Sequence, residues 1–557
     1  MIEAIHLKFG ATAGSSKTTI TTTPVTVFVG PNNSGKSKTL SEIQSFCQDG
    51  RVDQNFVIIE NIDIGKFDSV TAGKEIERIK LKPNLNESIP LSNVIVGKFG
   101  SRTQVEKTNL LQALTCRNQP YFLEWFCQWY LKYQTIILNG QSRMQLINEQ
   151  NAGDLLQPPT NSLAVLFRDD KKRENFQRII FDAFGLYPVI DPTNLGKLRI
   201  KLSAEKPTPI MERGLTDEVV KFHSRAVDIS LMSDGVKAFT GIILQLIAGD
   251  PKIVLVDEPE AFLHPSLAFL LGKEIGKIAF SQDKKAFIST HSPNFIMGCL
   301  QSGVPINVVR LTYLGGVATS RILSNEKLSV LMRNPLLRST GVLSGLFYES
   351  VIVTESDTDR AFYQEINERL LRFKPEWGIR NCLFLNAQNK QTVSQIIRPL
   401  RELGIPAAAI VDIDILKEGG TVWSSFLDGG YVPEITKQSL DQSRALLNKK
   451  FKELNLDMKR NGGIEQLPSC DRSSAEDLFS QIEEYGLFSL RFGELESWLK
   501  VLGVTGHGPK WLIDIFEKMG DNPDAPNYMK PTDADVWKFT YTIRSWLNNP
   551  HRKGIPF

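Results

Sequence analysis

The chain has 557 residues, of which 41% are apolar and 23% charged, the balance of a globular protein with room for roughly two to four cores. Lysine and arginine number 65 against 62 aspartate and glutamate, a net charge of +3, so any nucleic acid must be met by a local basic patch and not by a whole-chain field. The six cysteines form no CxxC pair, which sets aside zinc-ribbon and disulfide frameworks and points to a reducing, cytoplasmic setting.

In chain order, Met1 to Leu7 alternates like a strand and lacks the basic start and long apolar core of a signal peptide. The apolar run Val25 to Val29 predicts a buried strand, followed by a glycine-rich loop and a helix up to about residue 45. Residues 50–225 are mixed in pattern, with a loop at Leu156 to Asn161. Ser233-Asp234-Gly235 then opens a helix over Val236 to Ile247, and Ile253 to Val256 reads as a buried strand ending in Asp257-Glu258-Pro259-Glu260. A helix over Pro265 to Ala279 and a strand over Ala286 to Thr290 complete this half. The apolar stretch Phe239 to Ala248 is too short and too polar to span a bilayer.

Residues 315–345, rich in Gly, Ser and Asn, read as a connector. A second alternating pattern follows: strand 351–354, helix 359–371, strand 383–385, helix 392–403 and strand 408–411. Strands alternating with helices predict a parallel sheet covered on both faces. The expected boundaries are 1–335, with a less regular part at 50–225, and 346–557 with a helical C-terminal extension.

Gly30-Pro31-Asn32-Asn33-Ser34-Gly35-Lys36-Ser37 has a mechanical rationale. Its glycines turn backbone N–H groups toward phosphate oxygens, Lys36 places a point charge on the β and γ phosphates, and Ser37 ligates Mg²⁺. Asn33 and Lys38 belong to the same nucleotide cradle. A buried strand ending in Asp257-Glu258 brings one carboxylate to the metal and a second to the attacking water.

The order of phosphate loop, Leu231-Met232-Ser233-Asp234-Gly235, Asp257-Glu258 and then His291 resembles the ATP-binding cassette (ABC) class. That resemblance implies that Ser233 and Gly235 contact the γ-phosphate held by a second subunit, that His291 is the switch histidine, and that ATP is sandwiched in a dimer. The class also has a glutamine loop, for which Gln145 and Gln157 are the candidates. Transmembrane helices and long heptad arms are both absent from the pattern.

Glu355 and Asp359 follow one predicted strand, and Asp412 and Asp414 follow another. Four carboxylates at the carboxyl ends of parallel strands repel one another by roughly 4 kcal/mol per close pair at an effective dielectric of about 20, and Mg²⁺ or Mn²⁺ relieves that repulsion. A pair of such ions serves in-line attack on phosphate. Glu496, with Glu494 as the alternative, is the expected second-metal ligand, and Lys510 is a candidate for stabilising transition-state charge. The arrangement resembles the Toprim domain of topoisomerases, primases and some nucleases, with Ser356 in place of the usual glycine. No tyrosine stands in a topoisomerase-like context, which disfavours strand passage.

A soluble cassette ATPase joined to a Toprim domain resembles the OLD (overcoming lysogenization defect) nucleases, with Glu260-Ala261-Phe262-Leu263-His264-Pro265 typical of these ATPases. The resemblance implies an α/β protein, an ABC-type P-loop ATPase domain followed by a Toprim domain with a parallel sheet. It further implies ATP and Mg²⁺ or Mn²⁺ as cofactors, and nicking or cutting of DNA gated by ATP. A homo-oligomer through the ATPase half is implied, as is a role in antiphage defence of the Gabija or retron kind. An operon partner such as a helicase or a retron reverse transcriptase is a further implication. The rival readings are a nucleotide-sensing scaffold and a repair or recombination ATPase whose Toprim half binds DNA without cutting. Lys171-Lys172-Arg173, Lys449-Lys450-Phe451-Lys452 and Arg552-Lys553 are candidate DNA contacts.

Overall fold

All five residues of Val25–Val29 are buried, because the strand lies inside a sheet covered on both faces. In this computed structural model, which describes residues 1–83, 87–99, 101–116, 118–323, 325–335 and 341–556, the sheet has six strands. Their order is Val317–Leu323, Ile306–Leu314, Val25–Val29, Lys285–Ser289, Ile253–Asp257 and Thr135–Leu138. Five run parallel and only the Val317–Leu323 edge is antiparallel. Gly30, Asn139, Asp257 and Thr290 therefore all emerge along one edge, the edge at which open parallel sheets bind ligands.

The chain divides into two compact units, Met1–Ser329 and Val330–Phe557. In the first, the mixed stretch resolves into small antiparallel sheets beside the main one. Ile2–Gly10 pairs with Lys17–Thr21 and Ile59–Ile64; Ile5 and Leu7 are buried on one face as alternation requires, and Ile2 is buried too, across an irregularity in the pairing with Ile59–Ile64. Lys80–Leu81, Asn93–Lys98 and Ser101–Glu106 form another sheet, and Tyr187–Asp191, Lys197–Ser203 and Val227–Asp228 a third, which Gln150–Asn151 joins.

Part of the expected connector is a hairpin. Gly315 and Gly316, at φ 58° and 84°, make the two-residue turn joining Ile306–Leu314 to Val317–Leu323. The second strand reads Val-Ala-Thr-Ser-Arg-Ile-Leu and lies at the sheet edge, so its apolar signal is thin. Asn325–Arg333 is helical, and residues 324 and 336–340 of the stretch lie outside those described.

The second unit holds a four-stranded, all-parallel sheet in the order Cys382–Asn386, Ser350–Thr354, Ala407–Val411, Leu487–Ser489. Helices Asp357–Phe373 and Lys390–Glu402 cross between its strands. The first starts two residues before the expected Asp359, because Ser356 and Asp359 form a capping box. Helices Glu434–Glu453, Ser469–Glu483, Gly508–Met519 and Asp535–Asn548 make up the C-terminal part. Its core includes Phe362, Trp511, Trp537 and Phe539, and buried Trp498 donates from Nε1 to Tyr363 Oη at 2.9 Å. Fully buried Arg401 donates to the carbonyls of Ala407, Gly430, Gly486 and Gly554 at 2.7–3.3 Å, fastening the C-terminal segment to the sheet. Among the described residues no helix is long and apolar enough to cross a membrane.

Candidate functional site

The phosphate loop forms as its sequence requires. Gly30 takes φ 143°, and a Cβ there would lie 2.0 Å from the Leu311 carbonyl oxygen, so only glycine fits. Asn33 adopts φ 61°, and Gly35 caps the helix Lys36–Asp49. Lys36 folds back on its own loop, donating to the carbonyls of Gly30 at 3.0 Å and Pro31 at 2.8 Å. Burial lowers its pKa to about 8, against the pull of Glu258, Asp257 and Glu260. Ser37 Oγ donates to Asp257 Oδ1 at 2.9 Å, and Ser289 Oγ donates to the same oxygen. Lys38 is exposed, 4.0 Å from Glu42, whose buried carboxylate accepts the backbone N–H groups of Val57, Ile58 and Ile59. Buried Ser34 Oγ has no hydrogen-bond partner among the described residues. An open hydroxyl, a cradle of turned N–H groups and a serine–aspartate pair fit an Mg-nucleotide.

Glu258 sits at φ 49° with its side chain 3.9 Å from His291 Nε2. Burial and then Lys36 push the His291 pKa down, so the ring is neutral near pH 7. Glu260 fixes the next turn, accepting from His291 N at 2.6 Å and Thr290 Oγ1 at 2.8 Å. Ser233 is the exposed N-cap of Asp234–Leu244, and its side chain makes no cap hydrogen bond, while Gly235 is buried behind it. The first N–H groups of this helix therefore remain open to an anion.

Gln145 lies exposed on the short helix Ser142–Gln145, and Gln157 in the turn before Ser162–Arg168. The glutamine nearest the carboxyl end of Thr135–Leu138, the strand beside Asp257's own, is instead Gln141. The neighbouring Arg143 was not singled out by the sequence. It is fully buried, donates from Nη1 to the Glu258 carbonyl at 2.8 Å, and among the described residues its Nε and Nη2 have no hydrogen-bond partner.

In the second unit, Glu355, Asp412 and Asp414 bring carboxylate oxygens within 4.8 Å of one another. Glu355 follows Ser350–Thr354 and Asp412 follows Ala407–Val411, two adjacent parallel strands. Asp412 N donates to Glu355 Oε1 at 2.9 Å. Burial first, then Asp412, pushes the Glu355 pKa up to about 8. Burial likewise raises Asp412 to about 7, with Lys459 opposing and Asp359 and Asp414 assisting. Buried Asp414 Oδ1 has no partner among the described residues. Crowded carboxylates with an orphaned oxygen are a donor set that fits a hard divalent cation.

Asp359 stands apart from these three. Its Oδ2 accepts from Ser356 N at 2.9 Å and Ser356 Oγ at 2.7 Å. Ser356 has φ −135°, extended backbone that needs no glycine, and its hydroxyl caps the helix instead.

Glu494, Glu496 and His507 form a second group within 4.8 Å. His507 Nδ1 lies 3.2 Å from Glu494 and 3.5 Å from Glu496, while Gly508 N donates to Glu496 Oε1 at 2.8 Å. Both glutamates, offered by the sequence as alternatives, are thus neighbours. Lys510 is exposed on the helix that begins at Gly508. Three basic residues escaped the sequence reading: His507, Lys390, which pairs with Asp414 at 2.9 Å and Glu418 at 3.1 Å, and Lys459, which lies 2.7 Å from Asp412. The available signals were Gly506-His507-Gly508 and the turn sequence Asp457 to Gly463.

The basic clusters are largely engaged. Arg173 is buried, bonded to Glu212 at 2.6 Å and to the carbonyls of Leu166 and Phe167. Lys449 and Lys450 face Glu453, Phe451 is buried, and Lys553 pairs with Glu484.

Residues 150–297 match the family model of an AAA domain described as a putative AbiEii toxin of a Type IV TA system. Residues 346–414 match the TOPRIM domain of overcoming lysogenization defect protein-like proteins. The second match includes Glu355, Asp412 and Asp414, whereas Lys459, Glu494, Glu496 and His507 lie beyond it. A curated relative is the lipoprotein-releasing system ATP-binding protein LolD of Protochlamydia amoebophila, 23% identical over 247 residues, covering 44% of this chain and 91% of that protein. Similar solved structures include an Smc head bound to the C-winged helix domain of ScpA, at 17% identity, 59% and 99% coverage and TM-score 0.34. Another is the SMC head domain from Thermotoga maritima, at 15% identity, 58% and 99% coverage and TM-score 0.31. An ATPase domain followed by an OLD-like TOPRIM domain is the architecture of the overcoming lysogenization defect family, and this chain has it.

Proposed function

We propose that this protein is an ATP-regulated, divalent-metal-dependent DNA endonuclease of OLD type, acting in the cytoplasm in antiphage defence. The observation that carries the reading is the convergence of Glu355, Asp412 and Asp414 at two parallel strand ends, with Asp414 Oδ1 unpartnered among the described residues, on a chain that also has a complete phosphate loop.

In this reading Lys36 leaves its two loop carbonyls for the β and γ phosphates, and Ser37 and Asp257 hold the nucleotide's Mg²⁺. Glu258 orients the attacking water beside the neutral His291, and Gln141 reaches the same metal from the neighbouring strand end. Ser233 and its helix N-terminus meet the γ-phosphate of a second copy. Leu231 and Phe262, 78% and 60% exposed, give that second copy an apolar surface to cover. In the Toprim half Glu355, Asp412 and Asp414 hold one divalent ion, while Glu494 and Glu496, assisted by His507, hold another. Bound there, divalent ions supply charge neutralisation for in-line attack on a phosphodiester. Asp359 positions the Glu355 turn through its capping box.

The test is incubation of supercoiled plasmid with the purified protein and Mn²⁺ or Mg²⁺, with and without ATP. Metal-dependent nicks or breaks are expected, altered in rate by ATP. Intact plasmid under every condition removes the nuclease reading and leaves a nucleotide-sensing scaffold.

A further inference from the structure

The two acidic clusters of the second unit are bridged by one side chain. Lys459 Nζ lies 2.7 Å from Asp412 Oδ2 and 3.8 Å from Glu494 Oε2, and among the described residues it alone pairs with a carboxylate of each cluster. Its loop is built to put it there. Asp457 Oδ1 accepts the backbone N–H groups of Lys459 at 2.8 Å and Arg460 at 3.1 Å, Asn461 Oδ1 accepts Asp457 N at 2.7 Å, and Lys417 pairs with Asp457 at 3.3 Å. On the far side the Lys459 carbonyl packs on Gly493, where a Cβ would come within 2.2 Å of it. The backbone is therefore pinned between Asp457 and the segment carrying Glu494, and only the flexible stem is free to move the ammonium.

Within this reading of the clusters as a metal site, we propose that Lys459 is a place-holding cation. It occupies the metal-free site, must be displaced from Asp412 when a divalent ion enters, and then pairs with a phosphate of the nucleic-acid backbone. Three points support this. An ammonium 2.7 Å from a ligand oxygen stands where a coordinated ion's charge would stand. Two positive charges cannot share Asp412 without repulsion, so ion and ammonium compete. Once displaced, a tethered lysine beside a metal-filled site finds its next anion in the bound phosphodiester. Metal and nucleic acid then help each other bind, because each pays part of the cost of moving the same side chain.

The experiment is Mn²⁺ titration by calorimetry on the full chain and on Lys459→Met, Lys459→Gln and Lys459→Arg. Each titration is run with and without a DNA duplex whose phosphates are blocked against cleavage by phosphorothioate substitution. Circular dichroism confirms that each variant is folded. Without DNA, Lys459→Met and Lys459→Gln are expected to bind Mn²⁺ roughly tenfold tighter than the parent, while Lys459→Arg stays near it. Adding DNA is expected to tighten Mn²⁺ binding in the parent and to leave Lys459→Met unchanged. Equal or weaker binding in both neutral variants overturns the proposal, as does DNA coupling that survives in Lys459→Met. Absence of Mn²⁺ binding in every variant overturns both this proposal and the metal reading beneath it. Tightened binding in a protein that never cuts plasmid removes the nuclease reading and upholds the place-holder.

Discussion

The nucleotide site and the carboxylate site solve opposite electrostatic problems. In the first unit Lys36, Asp257 and Glu260 each have local hydrogen-bond partners. Lys36 sits on two carbonyls, Asp257 accepts two hydroxyls, and Glu260 accepts one hydroxyl and one amide. In the second unit burial and mutual repulsion lift Glu355 and Asp412 above their ordinary range, and Lys459 only partly offsets this at Asp412. The lesson is that a phosphate loop can be held by its own backbone, whereas crowded carboxylates store repulsion that protonation or a bound metal ion must relieve.

The largest break in this comparison is expected from Asp412→Ala combined with Asp414→Ala. Plasmid cleavage should fall to background while ATP hydrolysis stays near the parent's, because the altered groups serve only the second site. Full cleavage by the double variant would place the chemistry elsewhere. The reciprocal change, Glu258→Gln, should cut ATP hydrolysis by about 10²–10⁴-fold, the usual weight of a general base, and leave nucleotide binding intact. A phosphate-release assay beside a nucleotide-binding titration separates the two effects.

The pH dependence sharpens the contrast further. Glu355 and Asp412, held near 8 and 7 in the folded protein, keep protons that an unfolded chain releases near its ordinary values of 4.5 and 3.8. The stability this supplies is complete below those ordinary values and drains away as the pH rises through 7 to 8. In a metal chelator, the thermal midpoint should therefore decline across that window more steeply for the parent than for Glu355→Gln. Saturating Mn²⁺ should flatten the decline, since it favours the ionised carboxylates. A parent and variant with parallel pH profiles would show that the carboxylates are not repelling one another.

The two sites also differ in how far they can be read from sequence. The phosphate loop is contiguous, and Asp257 follows four apolar residues of a strand buried on both faces, so chemistry and local structure coincide. Glu355, Asp412 and Asp414 stand at strand ends whose alternation with helices is plain. Lys459 and His507 are different. They come from loops with no periodic pattern, and only the tertiary packing of the Lys459 carbonyl on Gly493 brings the lysine to Asp412. Gln141 carries little sequence signal, because Thr135–Leu138 is only four residues long, beside aromatic helices, and its place in the sheet rests on long-range pairing. The hairpin at Gly315-Gly316 reads as a connector in sequence because its edge strand lacks a continuous apolar run, although the paired glycines carry the turn signal.

The smallest and most discriminating prediction concerns two serines in the same structural position, one in each unit. Ser233 and Ser356 are both helix N-caps, but only Ser356 uses its hydroxyl, accepting Asp359 N at 3.2 Å and donating to Asp359 Oδ2 at 2.7 Å. Ser356→Ala should thus cost about 1 kcal/mol of stability, whereas Ser356→Gly, which restores the usual Toprim residue, should cost only a few tenths. Ser233→Ala has no cap bond to lose, so its stability should change by less than about 0.5 kcal/mol. Its effect should appear instead in ATP-dependent self-association, measured by sedimentation, because the hydroxyl is free to meet a phosphate. A Ser233→Ala protein that is destabilised as much as Ser356→Ala, yet assembles normally with ATP, would reduce both serines to helix caps. Normal stability with lost assembly would separate a serine that holds its own helix from one that waits for a ligand.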